Sequence, residues 1–221
     1  MDSKVKDIIT DLDQISAFAM EIDPRKEGKL VQEIVLALKS TMREKQLKSL
    51  SAPQIGYNRR IFCMCFGDND YRTFINPMIE NNTVFQLSRE TCSSIPGKTF
   101  IRPRFGSITV FYVTPLGKIE SRKIVGRAAI VFQHCLDHLN GLTLADIGLE
   151  IDDMFDNATE DERAEVIKMY MDSLDIKQKQ LEDELKSDSE TAQILDATRF
   201  IQSVQDGKTV IELENNNEKV E

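Results

Sequence analysis

The sequence predicts an α+β fold in which a strongly bent antiparallel sheet packs around one central helix. Two observations lead to this prediction. Residues 107–113 and 118–125 alternate in period two on either side of the turn signal at 114–117 (T-P-L-G), as the arms of an antiparallel hairpin do. Directly after this hairpin, a polar segment is flanked by the apolar residues 129–132 and Leu139, which favours a buried helix.

The first elements follow from local patterns. The chain before about Asp23 shows only a short apolar periodicity. Pro24 then opens a segment whose apolar residues recur every three or four positions as far as Met42, so an amphipathic helix of about 20 residues is expected, ending near Leu47.

A turn follows this helix. Pro53 excludes helix at Ala52 and Gly56 marks a turn, so Gln54 is expected on an extended or turning segment.

Strand-like runs come next, at residues 60–66, 71–77 and 82–87. Cys63 and Cys65 alternate within the first run and are expected in the core. The segment 90–97 (E-T-C-S-S-I-P-G) places Cys92 on a loop or strand edge. The four cysteines are too few at this length for a disulfide framework, so each is expected to be a core residue or a ligand.

Charge divides the chain into two regions. Residues 151–221 hold 8 basic and 20 acidic residues, a net charge of −12, which leaves +3 for residues 1–150. The mildly basic first part could accept an anionic chain end, while the acidic second part argues against nucleic acid as a partner. No apolar run approaches the roughly 20 residues that span a bilayer, and the N-terminus lacks the apolar core of a signal peptide, so no membrane is involved and the cytoplasm is the expected compartment.

Residues 151–221 are predicted to form an acidic helical C-terminal extension. The segment 159–162 (T-E-D-E) is a capping box at a helix start, and a helical pattern continues to Leu185. Further predicted features are an interruption at 187–190, a second helix at 194–204, a short strand at 209–213 and disorder at 215–221. About 35 residues at the end of this region, 187–221, either cover or solvate the core or dock a partner such as a basic ribosomal surface.

The central helix holds both histidines of the chain. His134 and His138 are four residues apart, so they share one helical face and can grip one metal ion. An isolated H-x-x-x-H pattern is more often a chance spacing of core or surface histidines, and other segments must decide between the two interpretations.

Three segments resemble the motifs of peptide deformylases in order and spacing. Residues 50–56 (L-S-A-P-Q-I-G) resemble the first motif, G-x-G-L-A-A-x-Q, residues 90–94 (E-T-C-S-S) the second, E-G-C-L-S, and residues 133–138 (Q-H-C-L-D-H) the third, Q-H-E-x-D-H. The resemblance covers roughly residues 5–150. It implies a deformylase-like metal-binding domain over residues 1–150 that removes the formyl group from N-formylmethionyl nascent peptides.

The resemblance also implies residue roles. Cys92, His134 and His138 would hold one divalent ion, Fe2+ most commonly, with Zn2+, Ni2+ or cobalt able to substitute. Two imidazoles and one thiolate leave a fourth position open, as catalytic rather than structural sites do. Gln54 and the backbone N–H of Ser93 would stabilise the developing oxyanion. Other assigned positions are Glu90 and Gln133, which would orient the ligands, and Ser49, Leu50 and Thr91, which would contact the substrate.

Departures from the family pattern put the activity in question. The family's acid/base glutamate is Cys135 here, whose thiol is too short to reach the same water, and losing a positioned acid/base typically costs about 10² to 10⁴ in rate. Cleft glycines are replaced at Leu47, Ser49 and Thr91. An expected substrate-binding arginine is Thr99, with Lys98, Arg102 and Arg104 as possible substitutes. Two hypotheses result: a deformylase of reduced or altered efficiency, or an inactive metal- and peptide-binding module.

Overall fold

A computed structural model describes residues 5–67 and 70–187 of the chain. The chain divides into two compact units, Met1–Ala158 and Thr159–Glu221. The first unit contains, in chain order, α1 (Gly28–Glu44), β1 (Ser49–Ser51), β2 (Ile61–Cys65), β3 (Tyr71–Cys92), β4 (Ile95–Val113), β5 (Ile119–Val125), α2 (Arg127–Leu139), α3 (Leu144–Ile147), β6 (Leu149–Ile151) and α4 (Asp153–Asn157). Two 3-10 turns, Leu12–Ile15 and Pro53–Ile55, precede α1 and β2.

The strands form one antiparallel sheet in the order β1-β2-β3-β4-β5. Strand β6 pairs with the first half of β4, at residues 99–101. The hairpin between β4 and β5 turns at the predicted place, and Gly117 there has a positive φ of 72°. The predicted α+β class with an antiparallel sheet is confirmed.

Strand β3 differs from the prediction, because the runs at 71–77 and 82–87 are parts of one strand that ends at Cys92. Register shifts against β4 bend this strand at three places. Near the first shift, Asn76 has a positive φ of 46° and its side-chain amide bonds both the N–H and the C=O of Ile22. Pairing with β4, which local sequence does not reveal, holds the polar middle of β3 in the sheet.

One local prediction was wrong. Helix α1 begins at Gly28 rather than Pro24, because the N–H groups of Lys26 and Glu27 bond the carbonyl of Asp23 and close a turn first. Gln54 lies on a turning segment as predicted, the 3-10 turn Pro53–Ile55. Ala52 stays outside this turn, although its angles, φ −59° and ψ −38°, are right-handed helical.

The core lies on both faces of β2. Phe62 and Met64 belong to an apolar cluster that includes Phe132 of α2, whereas Ile61 and Cys63 belong to a cluster that includes the buried side of α1. Successive side chains of a strand point to opposite faces, so α1 and α2 pack on opposite sides of this strand. Phe132 contacts Phe62 edge-on, with ring centroids 5.0 Å apart. This packing fixes the rotation of α2 and therefore the direction of its histidines.

The second unit contains α5 (Glu160–Ser187). Its capping box forms as predicted, since Thr159 N donates to Glu162 Oε2 at 2.8 Å and Glu162 N donates to Thr159 Oγ1 at 3.3 Å. The predictions at 194–204, 209–213 and 215–221 lie outside the described residues. Within the described part of the chain, no helix is both long and apolar enough to cross a bilayer.

Candidate metal centre and adjoining cleft

Cys92, His134 and His138 meet where the end of β3 reaches helix α2. One ligand atom from each side chain lies within 4.8 Å of the others. Cys92 Sγ is 3.3 Å from His138 Nε2, and the two imidazole centroids are 5.0 Å apart. The i, i+4 spacing puts both rings on one helical face, as predicted, and the turn after β3 brings the thiol to them.

The electrostatics of these three groups favour a thiolate. Burial opposes ionisation of Cys92, but hydrogen bonds with His134 and His138 outweigh it and lower the pKa of the thiol to about 5. Burial likewise disfavours the charged form of His134, yet its bonds with Cys92 and Glu90 raise its pKa to about 9. A thiolate is the form in which cysteine binds metal.

The donor set fits a divalent transition-metal ion. One thiolate and two imidazoles suit zinc or iron, and Mg²⁺ or Ca²⁺ would prefer oxygen ligands. His134 bonds Glu90 Oε2 through Nδ1 at 3.0 Å, which leaves its Nε2 for an ion. His138 Nδ1, in contrast, is buried with no hydrogen-bond partner among the described residues.

A buried ionic network contacts His134 through Glu90. Arg104 bonds Glu90 through Nε at 2.7 Å and Nη2 at 3.0 Å, and it bonds Asp137 Oδ2 through Nη1 at 2.6 Å. The side chains of Arg104 and Glu90 are only 3% and 4% exposed. Burial raises the pKa of Glu90, but its bonds with His134 and Arg104 dominate and bring it to about 2. The network therefore ties β3, β4 and α2 together behind one candidate ligand.

Gln54 lies beside the thiol with a fixed orientation. Its Oε1 accepts hydrogen bonds from the N–H and the hydroxyl of Ser51, at 3.0 and 2.9 Å. Its Nε2 therefore faces Cys92 Sγ at 3.6 Å and the hydroxyls of Ser93 and Ser94 at 3.3 and 3.2 Å. An amide N–H donor is thus held next to the candidate metal position, as sequence reasoning expected.

Gln133 points the other way, towards the sheet. Its Nε2 donates to the carbonyl of Phe105 at 2.8 Å and its Oε1 accepts from the N–H of the same residue at 3.0 Å. It contacts β4 rather than a candidate ligand, so any influence on the metal centre acts through the placement of α2.

Cys135 is not brought to the candidate metal centre. It is 1% exposed and belongs to the apolar cluster of Phe62, Phe74 and Phe132. Burial raises the pKa of its thiol to about 12, against a smaller opposing effect of the Ser49 hydroxyl. A neutral thiol in this position is a core group, and it does not line the cleft.

A cleft of about 460 Å³ opens beside the three candidate ligands. Ser49, Thr91 and Ser93 line it, as the assigned substrate and oxyanion roles require. Leu50 does not line it, because the whole residue is buried and its side chain packs in the core.

The possible substitutes for the missing arginine were wrongly chosen. Arg104 is buried against Glu90 and Asp137, Arg102 donates to the carbonyl of Ile147, and Lys98 pairs with Glu150, so none lines the cleft.

Sequence reasoning missed Arg127, which does line the cleft. The positions Arg127, Ile130, Val131 and His134 follow the i, i+3, i+4, i+7 rule for one helical face, and this signal could have located it.

The fold and the site together define a class: an α+β protein with a Cys-His-His site for one metal ion beside an open cleft. The chain belongs to the polypeptide deformylase family, whose sequence model matches residues 5–152. The resemblance of the three motifs is therefore confirmed at the level of the family.

Individual relatives agree. A peptide deformylase of Thermotoga neapolitana is 30% identical over 130 residues, which cover 55% of this chain and 79% of that protein. One from Clostridium botulinum is 32% identical over 130 residues, covering 55% and 84%. Among solved structures, the peptide deformylase of Thermotoga maritima superposes with a TM-score of 0.57 at 29% identity, covering 65% of this chain and 97% of that one. The Met-Ala-Ser-bound class I type b enzyme of Acinetobacter baumannii gives a TM-score of 0.61 at 23% identity, covering 66% and 99%, which supports the fold.

Proposed function

We propose that this chain is a metal-dependent hydrolase that removes the formyl group from N-formylmethionyl nascent peptides. The observation that supports the proposal most directly is the convergence of Cys92, His134 and His138 within 4.8 Å at the edge of an open cleft, in a chain of the polypeptide deformylase family. These three residues would hold one divalent ion, Fe2+ first and Zn2+ or Ni2+ as alternatives. Such an ion supplies Lewis acidity and makes hydrolytic water available near neutral pH.

The residues around this position have separate tasks in the proposed reaction. Gln54 Nε2, oriented by Ser51, and the backbone N–H of Ser93 would donate hydrogen bonds to the oxygen of the formyl group as it becomes negative. A donor placed in this way is worth roughly 10² to 10³ in rate. Glu90 would hold the His134 ring in its ligating orientation, and Gln133 would hold α2 against β4.

The peptide itself would lie in the cleft. Ser49 and Thr91 line the cleft and would contact the peptide, whereas Leu50, the next residue of β1, is buried and would act only by packing beneath Ser49. The side chains at 49 and 91 occupy positions where the family has glycine, so we expect a narrower cleft than glycines would give.

The burial of Cys135 favours a second candidate function. With its thiol in the aromatic core, position 135 provides no acid or base to the cleft. A protein that keeps the metal and the peptide cleft without turnover would be an inactive deformylase-like binding module. Between the two, we favour a slow hydrolase because the oxyanion donor Gln54 remains in place.

The decisive experiment measures formate release from formyl-Met-Ala-Ser by protein purified anaerobically with Fe2+, together with metal content on the same sample. We expect about one ion per chain and measurable turnover. A Cys92→Ala variant should lose both, while Cys65→Ala, which changes a thiol outside the centre, should keep both. Stoichiometric metal without turnover would favour the binding module, and an absence of metal would overturn the ligand assignment.

We further propose that the protein acts in the cytoplasm, where nascent chains emerge, and that residues 187–221 either cover or solvate the core or contact the ribosome. Deletion of residues 187–221 distinguishes these roles. Loss of ribosome co-sedimentation with unchanged stability supports contact, and unchanged co-sedimentation with unchanged stability excludes it.

A further inference from the structure

The cleft is lined by more basic than acidic side chains. Apart from the candidate ligands Cys92 and His134, three charged residues line it: Glu90, Lys48 and Arg127. Glu90 is ion-paired with Arg104, which bonds both of its carboxylate oxygens, at 2.7 and 3.0 Å, and also bonds Asp137. The lining outside the candidate ligands therefore contains two cations and one ion-paired anion, although the whole chain carries a net charge of −9.

Lys48 and Arg127 differ from the basic residues around them. Arg89 pairs with Asp156 at 2.6 Å and Lys98 pairs with Glu150 at 2.9 Å, whereas Lys48 and Arg127 form no ion pair within the described part of the chain. Arg127 Nη1 donates to the carbonyl of Arg89 at 3.2 Å, which positions the guanidinium without neutralising it. Among the described residues, two exposed cations thus line the same cleft without an acidic partner.

The distance between Arg127 and His134 indicates which residue of a bound peptide could lie near Arg127. Arg127 precedes His134 by seven residues on the same face of α2, which is about 10.5 Å along the helix axis. An extended peptide advances about 3.3 Å per residue, so a chain that starts with its formyl group at His134 and follows the cleft along α2 towards Arg127 would reach it about three residues later.

We propose, on the basis of the proposed deformylase function, that this cleft selects peptides with a carboxylate within about three residues of the formylmethionine. Lys48 and Arg127 are the specificity-determining residues, and the ligand class is an acidic peptide. The carboxylate can come from an Asp or Glu side chain or from a nearby chain end, since both present the same charged group to the cations of the cleft.

The test uses the peptides formyl-Met-Xaa-Xaa-Ala-amide with Xaa as Glu, Gln or Lys, which differ in charge alone at similar length. At low ionic strength we expect kcat/KM for the Glu peptide to exceed that for the Gln peptide by roughly three- to tenfold, with the Lys peptide lowest, because exposed charge pairs are individually weak. The preference should shrink in 0.5 M NaCl, where the Debye length is only about 4 Å. Equal kcat/KM for all three peptides would overturn the proposal.

Variants assign the effect to the two side chains. Arg127→Glu and Lys48→Glu should each reduce the preference, and the double variant should reverse it in favour of the Lys peptide. Lys123→Glu makes the same charge change on an exposed residue of β5 outside the cleft and should leave the preference unchanged. A double variant with an unaltered preference, or a Lys123→Glu variant that shifts it equally, would contradict the assignment.

Binding separates this proposal from the proposed function. Calorimetry with the unformylated peptides Met-Glu-Glu-Ala-amide and Met-Lys-Lys-Ala-amide measures charge selection without turnover. If no formylated peptide is hydrolysed but the Glu peptide still binds several-fold more tightly, the deformylase function fails and the charge selection stands. If the free-acid peptide Met-Gln-Gln-Ala binds as tightly as the amidated Glu peptide, the selected carboxylate is a chain end; if it binds as weakly as the amidated Gln peptide, it is a side chain.

Discussion

The two sides of helix α2 lie in different chemical environments, although the residues that define them are neighbours in sequence. On one side, His134 and His138 face Cys92 and are surrounded by charged, hydrogen-bonded groups. On the other side, Phe132 and Cys135 pack into an aromatic cluster, where the thiol has the Ser49 hydroxyl as a hydrogen-bond partner. The two histidines therefore belong to a polar, charged environment, and Phe132 and Cys135 belong to the core.

This difference explains what the replacement of a glutamate by Cys135 does. Adjacent helical residues are about 100° apart around the axis, so position 135 lies at the border between the two sides. A long acidic side chain can extend from there to the cleft, whereas a short thiol stays in the core. The replacement has moved one position from the charged side of α2 to the apolar side.

The largest effect is expected from a variant that places a glutamate at position 135, on the border between the two sides of α2. We expect Cys135→Glu to raise the rate of formate release by about 10² to 10⁴, because a carboxylate there can move a proton beside the metal centre. Cys135→Gln is the matched control, since it has nearly the same length and cannot transfer the proton. Equal activities of the two variants, with metal and fold intact, would favour the inactive binding module.

The next largest effect is expected on the charged side. Arg104→Met should lower the free energy of unfolding by about 3–5 kcal/mol, because Glu90 and Asp137 would be left buried or half-buried without their cation. Urea unfolding followed by circular dichroism measures this loss. Arg89→Met breaks the exposed pair with Asp156 and should leave the unfolding midpoint nearly unchanged. Equal midpoint shifts for the two variants would mean that burial of the network contributes nothing.

A smaller effect, on metal affinity, is expected from a variant that weakens the support of one candidate ligand, His134. Glu90→Gln keeps the shape of the side chain but weakens its bond with His134, and we expect metal affinity to fall about 10- to 100-fold. Competition with a coloured chelator on the folded protein gives the affinity. Glu150→Gln, on the exposed pair with Lys98, is the control and should not alter it. Unchanged affinity in Glu90→Gln would show that His134 needs no support from Glu90.

The smallest effect is expected from a truncation on the apolar side of α2. Cys135→Ala should cost about 1 kcal/mol of stability, through the small cavity it leaves, and should change neither metal content nor turnover. Thermal unfolding and the formate assay on the same preparation test both parts. A collapse of turnover with normal stability would instead place the thiol among the catalytic groups.

The parts of the molecule that were predictable from sequence are those whose signals are local. The hairpin around Gly117 and the capping box at Thr159 depend on residues a few positions apart, and both were located correctly. Helix α2 was predictable because its apolar flanks and its two histidines share one short segment. The family motifs brought Cys92 and Gln54 to the same site from segments far apart in sequence.

Other features depend on contacts between distant segments. The continuity of β3 requires β4, because polar residues such as Asn81 and Arg89 are held in the sheet by pairing with that strand. Arg104 looked like a substrate-binding residue, and only the approach of Asp137 and Glu90, 33 and 14 residues away, shows that it is structural. No local pattern encodes such an arrangement.

The distance along the chain between the candidate ligands has a consequence for the order of events in folding. Cys92 and His138 are separated by 46 residues, and the hairpin of β4 and β5 lies between them. The entropy of closing that loop must be overcome before the two donors can meet, whereas β3 and β4 can zip together from their short connecting turn. The candidate ligand set is therefore complete only when α2 has docked, so an ion that needs all three donors would bind only after this step of folding.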